Sequence, residues 1–326
     1  MLSSVNVIIH SSQFPERVRE DLLRSLRTRK VNHKFHYDSV KQTQKWFVLH
    51  EAHSPARNDK DCLAIYARAF KAASARIKAQ SVHVVGLGCG GGQKDARLLK
   101  LLRSPGRKLF YTPSDVSVAM TLVAHRTALK IVTTKNCFPF VCDLATADDL
   151  ARAFSPRNTQ GATRLFTFFG MIPNFDPQMI LPKLAACVHR NDWLLFSANL
   201  APGKDYTDGM KKILPQYDND LTRNWLMTFL LDLGIENKDG ELRFSIENGG
   251  LGLKRVMARF HFQRSRRVQI EQEVFSFKRG DAIQSFFSYR YKPKRVSDLL
   301  DRHGFRVYRE WITESEEEGV FLCRRR

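Results

Sequence analysis

Hydrophobic residues recur along the first part of the chain with the spacing of amphipathic helices. In the segment FPERVREDLLRSLRT, apolar residues at Val18, Leu22, Leu23 and Leu26 fall on one side of a helix. The segment DCLAIYARAFKAASARIKAQ shows a similar pattern further along. The residues before Ser81 are therefore predicted to be mainly helical.

From Ser81 onward, short apolar runs alternate with helical segments. The runs are HVVGLG (83–88), KLFYTPSD (108–115), CFPFVCD (137–143), RLFTFFG (164–170) and WLLFSANL (193–200). The segments between them are QKDARLLKLL, VSVAMTLVAHRTAL, TADDLARAF and MILPKLAACV, each with one apolar helical face. This alternation predicts an α/β fold with a doubly wound, Rossmann-like parallel sheet that is covered on both faces.

After residue 200 the pattern changes again. A long amphipathic stretch, LPQYDNDLTRNWLMTFLLDLG, precedes the β-rich segments KRVMARFHF and RRVQIEQEVFSF. The chain ends with a predicted helix, VSDLLDRHG, and two strands that would close the parallel sheet. We therefore predict a sheet domain formed by 75–200 plus 292–326, and a second α+β lobe formed by 1–74 plus 201–291.

The first predicted strand leads into a glycine-rich turn that precedes a helix. Its glycines are Gly86, Gly88, Gly90, Gly91 and Gly92. Glycine allows positive φ angles, and its missing side chain lets a ligand approach the backbone closely. The turn also satisfies the GxGxxG pattern of dinucleotide sites. By itself it therefore does not show whether the turn binds a dinucleotide, another nucleotide-like ligand or no ligand.

Two acidic residues close the next two predicted strands. Asp115 is placed where a carboxylate can accept hydrogen bonds from both hydroxyls of a ribose, and Asp143 where an acid can reach an adenine amine. Either residue alone is compatible with a helix N-cap. Together with the glycine turn they favour a site for adenosine without phosphates, and a nicotinamide dehydrogenase is the alternative.

The net charge of the chain is +20, which attracts anions and raises the question of nucleic acid binding. The basic residues are dispersed, and the short clusters at 27–30, 264–267 and 324–326 lack interleaved aromatic residues. A solvated basic surface is therefore favoured over a nucleic-acid interface.

The sequence shows no clear features of a membrane, secreted or metal-binding protein. No apolar run approaches the roughly 20 residues of a membrane span. The N-terminus has no charged segment before its short apolar stretch, which argues against a secretory signal. The six cysteines are scattered, without CxxC pairs or matching histidine spacing, so neither a zinc site nor a disulfide framework is predicted. We expect a cytoplasmic protein.

Several short motifs occur in the order and spacing of a known family. LGCGGGQKDARLL, TPSDVS and VCD resemble its glycine turn and its second- and third-strand motifs, and their spacing agrees without gaps. KFHYDSVKQTQKWF, IPNFDP and AIQSFFSYRYKP resemble its N-terminal Tyr-Asp segment, its IGNF motif and its late TExS-type segment. Over nearly its whole length, the chain resembles the histidine-specific, S-adenosylmethionine-dependent Nα-methyltransferases of the ergothioneine pathway.

This resemblance implies a class I methyltransferase fold and an N-methyltransferase that acts on the amine of an amino acid or related small molecule. The implied cofactor contacts are Gly88, Lys94, Asp115, Cys142 and Asp143. Lys94 would hold the methionine carboxylate, with an ordinary surface lysine in the first turn of a helix as the alternative. Cys142 would contribute its backbone because the family has glycine there. The implied substrate contacts, assigned to the second lobe and to the end of the fourth strand, are His53, Asn174, Tyr217, Phe286 and Ser288.

Asn174 follows the fourth strand, where its amide can accept from an amine and donate to a carboxylate. A turn asparagine before Asp-Pro is the alternative interpretation. Tyr217 begins an amphipathic segment and is open to interpretation as a core aromatic residue, although its hydroxyl favours a substrate contact.

Two implied substrate positions depart from the family. His53 aligns with a tyrosine, and Phe286 aligns with the acidic residue that binds imidazole. A phenyl ring cannot accept a hydrogen bond, and an unpaired buried N–H costs about 1–3 kcal/mol. Free histidine is therefore not the expected acceptor. The alternative is that Phe286 points into the core and that Phe287 or Gln284 lines the pocket.

Two other function classes are compatible with the sequence. The charge and the likeness of IPNFDP to NPPY loops are also compatible with a nucleic-acid methyltransferase, although the second lobe has no recognisable nucleic-acid module. A non-catalytic relative that binds S-adenosylmethionine is the other alternative. No residue is predicted as a general base, because an α-amine with a pKa near 8 can lose its proton to water.

Overall fold

The computed structural model describes residues 4–54, 58–154, 159 and 161–326. The strands are β1 (Ile8–Ile9), β2 (Ser81–Leu87), β3 (Lys108–Asp115), β4 (Phe140–Val141), β5 (Thr163–Phe168), β6 (Trp193–Asn199), β7 (Gly240–Asn248), β8 (Lys254–Phe262), β9 (Arg266–Ile270), β10 (Glu273–Phe277), β11 (Ala282–Arg290), β12 (Phe305–Ile312) and β13 (Glu318–Arg325). The α-helices are α1 (Pro15–Thr28), α2 (Val40–His53), α3 (Lys60–Arg76), α4 (Gln93–Leu102), α5 (Val118–Ala128), α6 (Leu150–Ala153), α7 (Pro177–Cys187), α8 (Tyr206–Ile213), α9 (Asp220–Asp232) and α10 (Pro293–Arg302).

The described residues contain an eight-stranded sheet with the order β1-β4-β3-β2-β5-β6-β13-β12. Strand β2 pairs in parallel with both β3 and β5, and β13 runs antiparallel between β6 and β12. The order of the strands therefore reverses next to β2. In open α/β sheets, ligands bind beyond the carboxyl ends of the strands at such a reversal. The predicted α/β fold with a parallel sheet is confirmed.

The central strands are buried along nearly their whole length. In β2, Val82, Val84 and Val85 are fully buried, and β5 and β6 are buried in the same way. Such continuous burial is typical of strands that are covered on both faces. The predicted apolar face of α4 is buried at Leu98 and Leu99, so its period agrees with helix packing.

Polar side chains set where several helices begin. Ser39 accepts a hydrogen bond from the Gln42 N–H, and the Gln42 side chain accepts one from the Ser39 N–H, which forms a capping box before α2. Ser117 accepts from the Met120 N–H at the start of α5. These caps satisfy N–H groups that have no partner within the helix.

The chain divides into two compact units. The first unit contains Met1–Gln13, Asp59–Leu200 and Tyr291–Arg326, and the second contains Phe14–Asn58 and Ala201–Arg290. The first unit differs from the predicted sheet domain because it also includes β1 and α3. Strand β1 pairs with β4, and α3 buries Ile65 and Phe70 among the residues of this unit. Helical periodicity shows that α3 has an apolar face but does not show what that face packs against.

The second unit is an α+β structure of its own. It contains a three-stranded antiparallel sheet with the order β11-β8-β7 and a β9–β10 hairpin. Its apolar core includes Trp225 and Phe229 of α9, Phe260 of β8 and Ile283 of β11. A bulge interrupts β11 between Gln284 and Phe286. That this unit binds the substrate stays a prediction.

A buried ion pair supports the second unit. Lys34 Nζ lies 2.6 Å from Asp21 Oδ2, and both side chains are 2% exposed. We expect Lys34→Met to lower the free energy of unfolding by about 3–5 kcal/mol, because it leaves the Asp21 charge buried without this partner. The double variant Asp21→Leu/Lys34→Met should recover most of that loss. Urea unfolding monitored by tryptophan fluorescence measures both values.

The exposed pair Lys41–Asp232 provides the control, with a 2.5 Å distance between Lys41 Nζ and Asp232 Oδ1. Lys41→Met should change the free energy of unfolding by less than about 1 kcal/mol, because water screens this pair. Equal losses in Lys34→Met and Lys41→Met would contradict the importance of burial.

Candidate functional site

Four of the predicted cofactor residues meet at the carboxyl ends of β2, β3 and β4. The Gly90 N–H donates a hydrogen bond of 2.9 Å to Asp115 Oδ2. The Cys142 N–H donates one of 3.0 Å to the carbonyl oxygen of Asp115. The turn after β2, which contains Gly88, is thereby joined to the end of β3, and the end of β3 to the segment that follows β4.

The turn after β2 needs glycine for both its backbone and its space. Gly88, Gly90 and Gly92 have φ angles of 64°, 53° and 73°, in the left-handed region. A Cβ atom at Gly88 would lie 2.3 Å from Met171 Sδ, and one at Gly92 would lie 2.9 Å from Ala124 Cα. Any other residue at Gly88 or Gly92 would therefore strain the backbone and crowd its neighbours.

Asp115 is held as a hydrogen-bond acceptor at the end of β3. Its Oδ1 accepts from the Ser117 N–H at 3.0 Å, and its Oδ2 accepts from Gly90. Burial raises the pKa of this carboxyl to about 6, while the backbone N–H groups act in the opposite direction. At neutral pH the group is therefore mostly ionised and accepts hydrogen bonds strongly.

Asp143 and Cys142 differ in the hydrogen-bonding groups that they provide. Asp143 Oδ1 accepts from the Ala145 N–H at 2.9 Å, and the Asp143 N–H donates to Ser12 Oγ at 3.0 Å. Cys142 is buried with its Sγ 3.3 Å from Ser114 Oγ, and burial raises the pKa of the thiol well above its usual range. The thiol is thus neutral and engaged inside the unit, which agrees with a backbone role for Cys142.

Lys94 lies in the first turn of α4 and is half-buried. Its Nζ donates to Tyr66 Oη at 2.9 Å and stands 4.2 Å from the centroid of the Tyr66 ring. Burial lowers the pKa of Lys94, and the negative charge of Glu318 opposes that effect. The ammonium therefore has a defined position rather than the freedom of a surface lysine.

In the second unit, three alternate residues of β11 contact Tyr217. The Tyr217 ring lies 6.2 Å from the Phe286 ring, and its Oη lies 2.8 Å from Ser288 Oγ. Arg290 Nε donates to the same Oη at 3.0 Å. Residues two apart on a strand share a face, so β11 aligns these three side chains under Tyr217. Two predicted substrate residues, Phe286 and Ser288, are thus brought together with a third, Tyr217.

Phe286 is 6% exposed and belongs to the core of the second unit. Its ring lies 5.8 Å from that of Trp225 and 5.4 Å from that of His33. Phe286 is thus packed among core aromatic residues and lies next to the Tyr217 ring, and which residue lines a substrate pocket stays a prediction. Phe287, the other candidate, is half-buried with its ring 4.6 Å from that of His33.

The remaining two predicted substrate residues are His53 of the second unit and Asn174 of the first unit. His53 is exposed at the last residue of α2, and its side chain forms no hydrogen bond within the described part of the chain. Asn174 belongs to the first unit, where it is half-buried in the short 3-10 turn Ile172–Asn174 that follows β5. This turn follows the carboxyl end of β5, and that Asn174 faces a ligand there stays a prediction.

Sequence reasoning missed two polar residues near these positions. Arg290 is buried against Tyr217, and its place two residues after Ser288 was the available signal. Asp95 is buried next to Lys94, and its carboxylate accepts from Tyr111 Oη at 2.7 Å and Thr167 Oγ1 at 2.8 Å. An acidic residue in the first turn of a helix resembles ordinary N-terminal charge, so its burial was not evident.

A family model described as histidine-specific, S-adenosylmethionine-dependent methyltransferase matches residues 18–236 and 247–325. The chain belongs to this family. The methyltransferase activity, the cofactor and the resemblance inferred from the motifs are thereby confirmed. In the part of the methyltransferase that the structure describes, no helix has the length and apolar character needed to cross a membrane. No curated protein matches the chain significantly.

Several solved methyltransferase structures are similar to the chain at low identity. Magnesium protoporphyrin IX methyltransferase (ChlM) from Synechocystis PCC 6803 with bound SAH has 14% identity and a TM-score of 0.45, over 88% of this chain and 95% of that one. The sugar N-methyltransferase KedS8 from Streptoalloteichus sp ATCC 53650 has 14% identity and a TM-score of 0.40, over 85% and 92%. The glycopeptide N-methyltransferase MtfA has 12% identity and a TM-score of 0.39, over 80% and 95%.

The geometry of the first unit is compatible with S-adenosylmethionine. The cofactor presents ribose hydroxyls, an adenine amine and a carboxylate, and it carries no phosphate. Two strand-end carboxylates, Asp115 and Asp143, and one positioned ammonium, Lys94, match these groups in hydrogen-bond character. The glycine turn leaves Gly88 and Cys89 partly exposed beside them, where a ligand can approach the backbone.

We expect Asp115→Ala and Asp143→Ala each to weaken the binding of S-adenosylmethionine by about 1–3 kcal/mol, because each removes a charged hydrogen-bond acceptor. Calorimetric titration of the purified variants measures the loss. Asp176→Ala removes an exposed helix-capping carboxylate that follows β5 in the same unit, and it should leave the affinity unchanged. Wild-type affinity in both strand-end variants would rule out the assignment.

The raised pKa of Asp115 predicts a dependence on pH. Above about pH 6 the carboxylate accepts hydrogen bonds from hydroxyls, and below that value protonation removes its charge. The affinity for S-adenosylmethionine should therefore fall as the pH drops below 6. Asp95 has a similar pKa of about 6, but it is occupied by Tyr111 and Thr167. Asp115→Asn should bind more weakly and lose the decline, whereas an unchanged decline would assign it to another group.

Proposed function

We propose that the methyltransferase transfers the methyl group of S-adenosylmethionine to the amine of an amino acid or related small molecule, and that free histidine is not its preferred acceptor. The observation that supports the proposal is the environment of Phe286. A phenyl ring surrounded by Tyr217, Trp225 and His33 occupies the position where the resembled family carries an imidazole-binding acid.

In the proposed cofactor site, Asp115 accepts hydrogen bonds from the ribose hydroxyls, and Asp143 accepts one from the adenine amine. Gly88 and Cys142 contribute backbone atoms, and Lys94 binds the methionine carboxylate. The bound cofactor supplies an electrophilic methyl group on a sulfonium. These residues hold the cofactor at its adenosine end and at its carboxylate end. The direction of the methyl group then follows from the positions of these two ends.

Methyl transfer to an amine needs little covalent assistance. The amine must be unprotonated and aligned with the bond from sulfur to carbon, so most of the acceleration comes from proximity and orientation. An α-amine has a pKa near 8 and loses its proton to water without a dedicated base. The proposal therefore assigns orienting groups, and it requires no general base among the site residues.

The second unit offers a polar and an apolar feature for an acceptor. Tyr217 Oη, Ser288 Oγ and the Arg290 guanidinium are joined by hydrogen bonds, and a guanidinium with two hydroxyls suits the carboxylate of an amino acid. Phe286 provides an aromatic surface on the same strand face.

Aromatic side chains around Phe286 favour an acceptor with an aromatic or apolar side chain. An imidazole placed there would lose the hydrogen bond of its buried N–H, which costs about 1–3 kcal/mol. We therefore expect turnover on aromatic or aliphatic amino acids to exceed turnover on histidine. The release of S-adenosylhomocysteine across a panel of amino acids and biogenic amines measures this preference.

The variant Phe286→Glu tests the same position directly. It should shift the ratio of turnover toward histidine by about tenfold or more, because it adds the missing acceptor. Phe287→Glu adds the same charge one residue away on the opposite face of β11, and it should shift the ratio less than Phe286→Glu. An equal or larger shift in Phe287→Glu would assign the pocket to Phe287 instead. Thermal unfolding of both variants checks that each is folded. A wild-type enzyme that prefers histidine by a wide margin would overturn the proposed acceptor.

A further inference from the structure

A chain of polar side chains connects Lys94 to β13 inside the first unit. Glu318 is the first residue of β13, is 7% exposed, and pairs with Asn199 at the end of β6. Because β13 runs antiparallel to β6, its first residue lies at the same edge of the sheet as the carboxyl ends of the parallel strands. A buried carboxylate is therefore present at the edge where the cofactor residues lie.

Tyr66 of α3 is the centre of this chain. Lys94 Nζ donates to Tyr66 Oη at 2.9 Å, and Tyr66 Oη donates to Glu318 Oε1 at 2.6 Å. Ser197 Oγ lies 2.9 Å from the same Oη and accepts from the Gly170 N–H at 2.9 Å. The network thus joins α3, α4, β6, β13 and the residue two positions after β5.

The chemistry of Lys94, Tyr66 and Glu318 determines which group donates each hydrogen bond. A tyrosine hydroxyl has one proton, and the short contact to the Glu318 carboxylate uses it. The lone pairs of the same oxygen remain to accept from Lys94. Burial and the charge of Glu318 raise the pKa of Tyr66 well above its usual value, so the hydroxyl stays protonated. Glu318 also favours the charged form of Lys94.

Aromatic rings restrict the same ammonium from one side. Its Nζ stands 4.2 Å from the centroid of the Tyr66 ring and 5.7 Å from that of Phe169. Cation–π contacts of this kind attract the ammonium to the faces of the rings. Removing charges from water is costly, and a buried charge network of this kind adds little net stability. Its main consequence is that the Lys94 Nζ is fixed in place.

We infer that Tyr66 and Glu318 are positioning residues that hold the Lys94 ammonium as the receptor for the carboxylate of S-adenosylmethionine. This inference rests on the cofactor placement proposed above. Neither residue contacts the reacting methyl group. Ser197 connects the same tyrosine hydroxyl to Gly170, so the loop after β5 is tied to the network as well.

Two ligands separate a carboxylate effect from a general loss of structure. S-adenosylhomocysteine carries the amino acid carboxylate, whereas 5′-methylthioadenosine has the same adenosine and sulfur without it. We expect Tyr66→Phe and Glu318→Gln each to weaken the binding of S-adenosylhomocysteine by about tenfold, because each disorders or discharges Lys94. The affinity for 5′-methylthioadenosine should stay at the wild-type value. Isothermal titration calorimetry with the full-length protein measures both.

Tyr308→Phe is the matched control, since it removes the same hydroxyl from an exposed tyrosine of β12 in the same unit. It should leave both affinities unchanged. In a Lys94→Met background, Tyr66→Phe should cause no further loss of S-adenosylhomocysteine binding, because the two residues act through one ammonium.

The outcomes separate an error in the cofactor placement from an error in the positioning role of Tyr66 and Glu318. Wild-type binding of S-adenosylhomocysteine by Lys94→Met would show that the cofactor placement is wrong. Weakened binding by Lys94→Met, with wild-type binding by both Tyr66→Phe and Glu318→Gln, would overturn only the positioning role. Equal losses for both ligands in Tyr66→Phe and Glu318→Gln would also overturn it, since they indicate damage to the adenosine site.

Discussion

The parallel pairing of β2 with β3 on one side and β5 on the other is the constraint on which the first unit depends. After β2 the chain passes to β3 on one side, and it later returns to form β5 on the other side of β2. The loops after β3 and β5 therefore lie on either side of the glycine turn that follows β2. The hydrogen bond from Gly90 to Asp115 then fixes the turn against the neighbouring strand. Met171 packs where a side chain at Gly88 would project, so the sequence of the turn is restricted by packing as well as by its backbone conformation.

Charge has different consequences on the surface and inside the two units. Exposed pairs such as Arg19–Glu271 are screened by water and add little to stability. Lys94 and Arg290 are less exposed, and in each case a tyrosine hydroxyl accepts a hydrogen bond from the cation. Such contacts offset part of the cost of removing a cation from water and also fix its position.

Family membership establishes a methyltransferase that uses S-adenosylmethionine. The proposed choice of acceptor depends instead on the second unit, where one face of β11 presents Phe286, Ser288 and Arg290 to Tyr217. The bulge before Phe286 matters because one extra residue in a strand reverses which face each later side chain occupies.

The sequence by itself determined the fold class, the family and the cofactor, because these follow from local signals: hydrophobic period, the glycine turn and the acids at strand ends. It also indicated Asp115, Asp143 and Lys94, whose roles stay predictions. Only the tertiary structure decided that α3 belongs with the sheet, that Phe286 is buried, and that Tyr66 meets Glu318 across 252 residues of sequence. Periodicity shows that a face is apolar or that a residue is polar, whereas the partner of that face or residue depends on long-range packing that no local pattern contains.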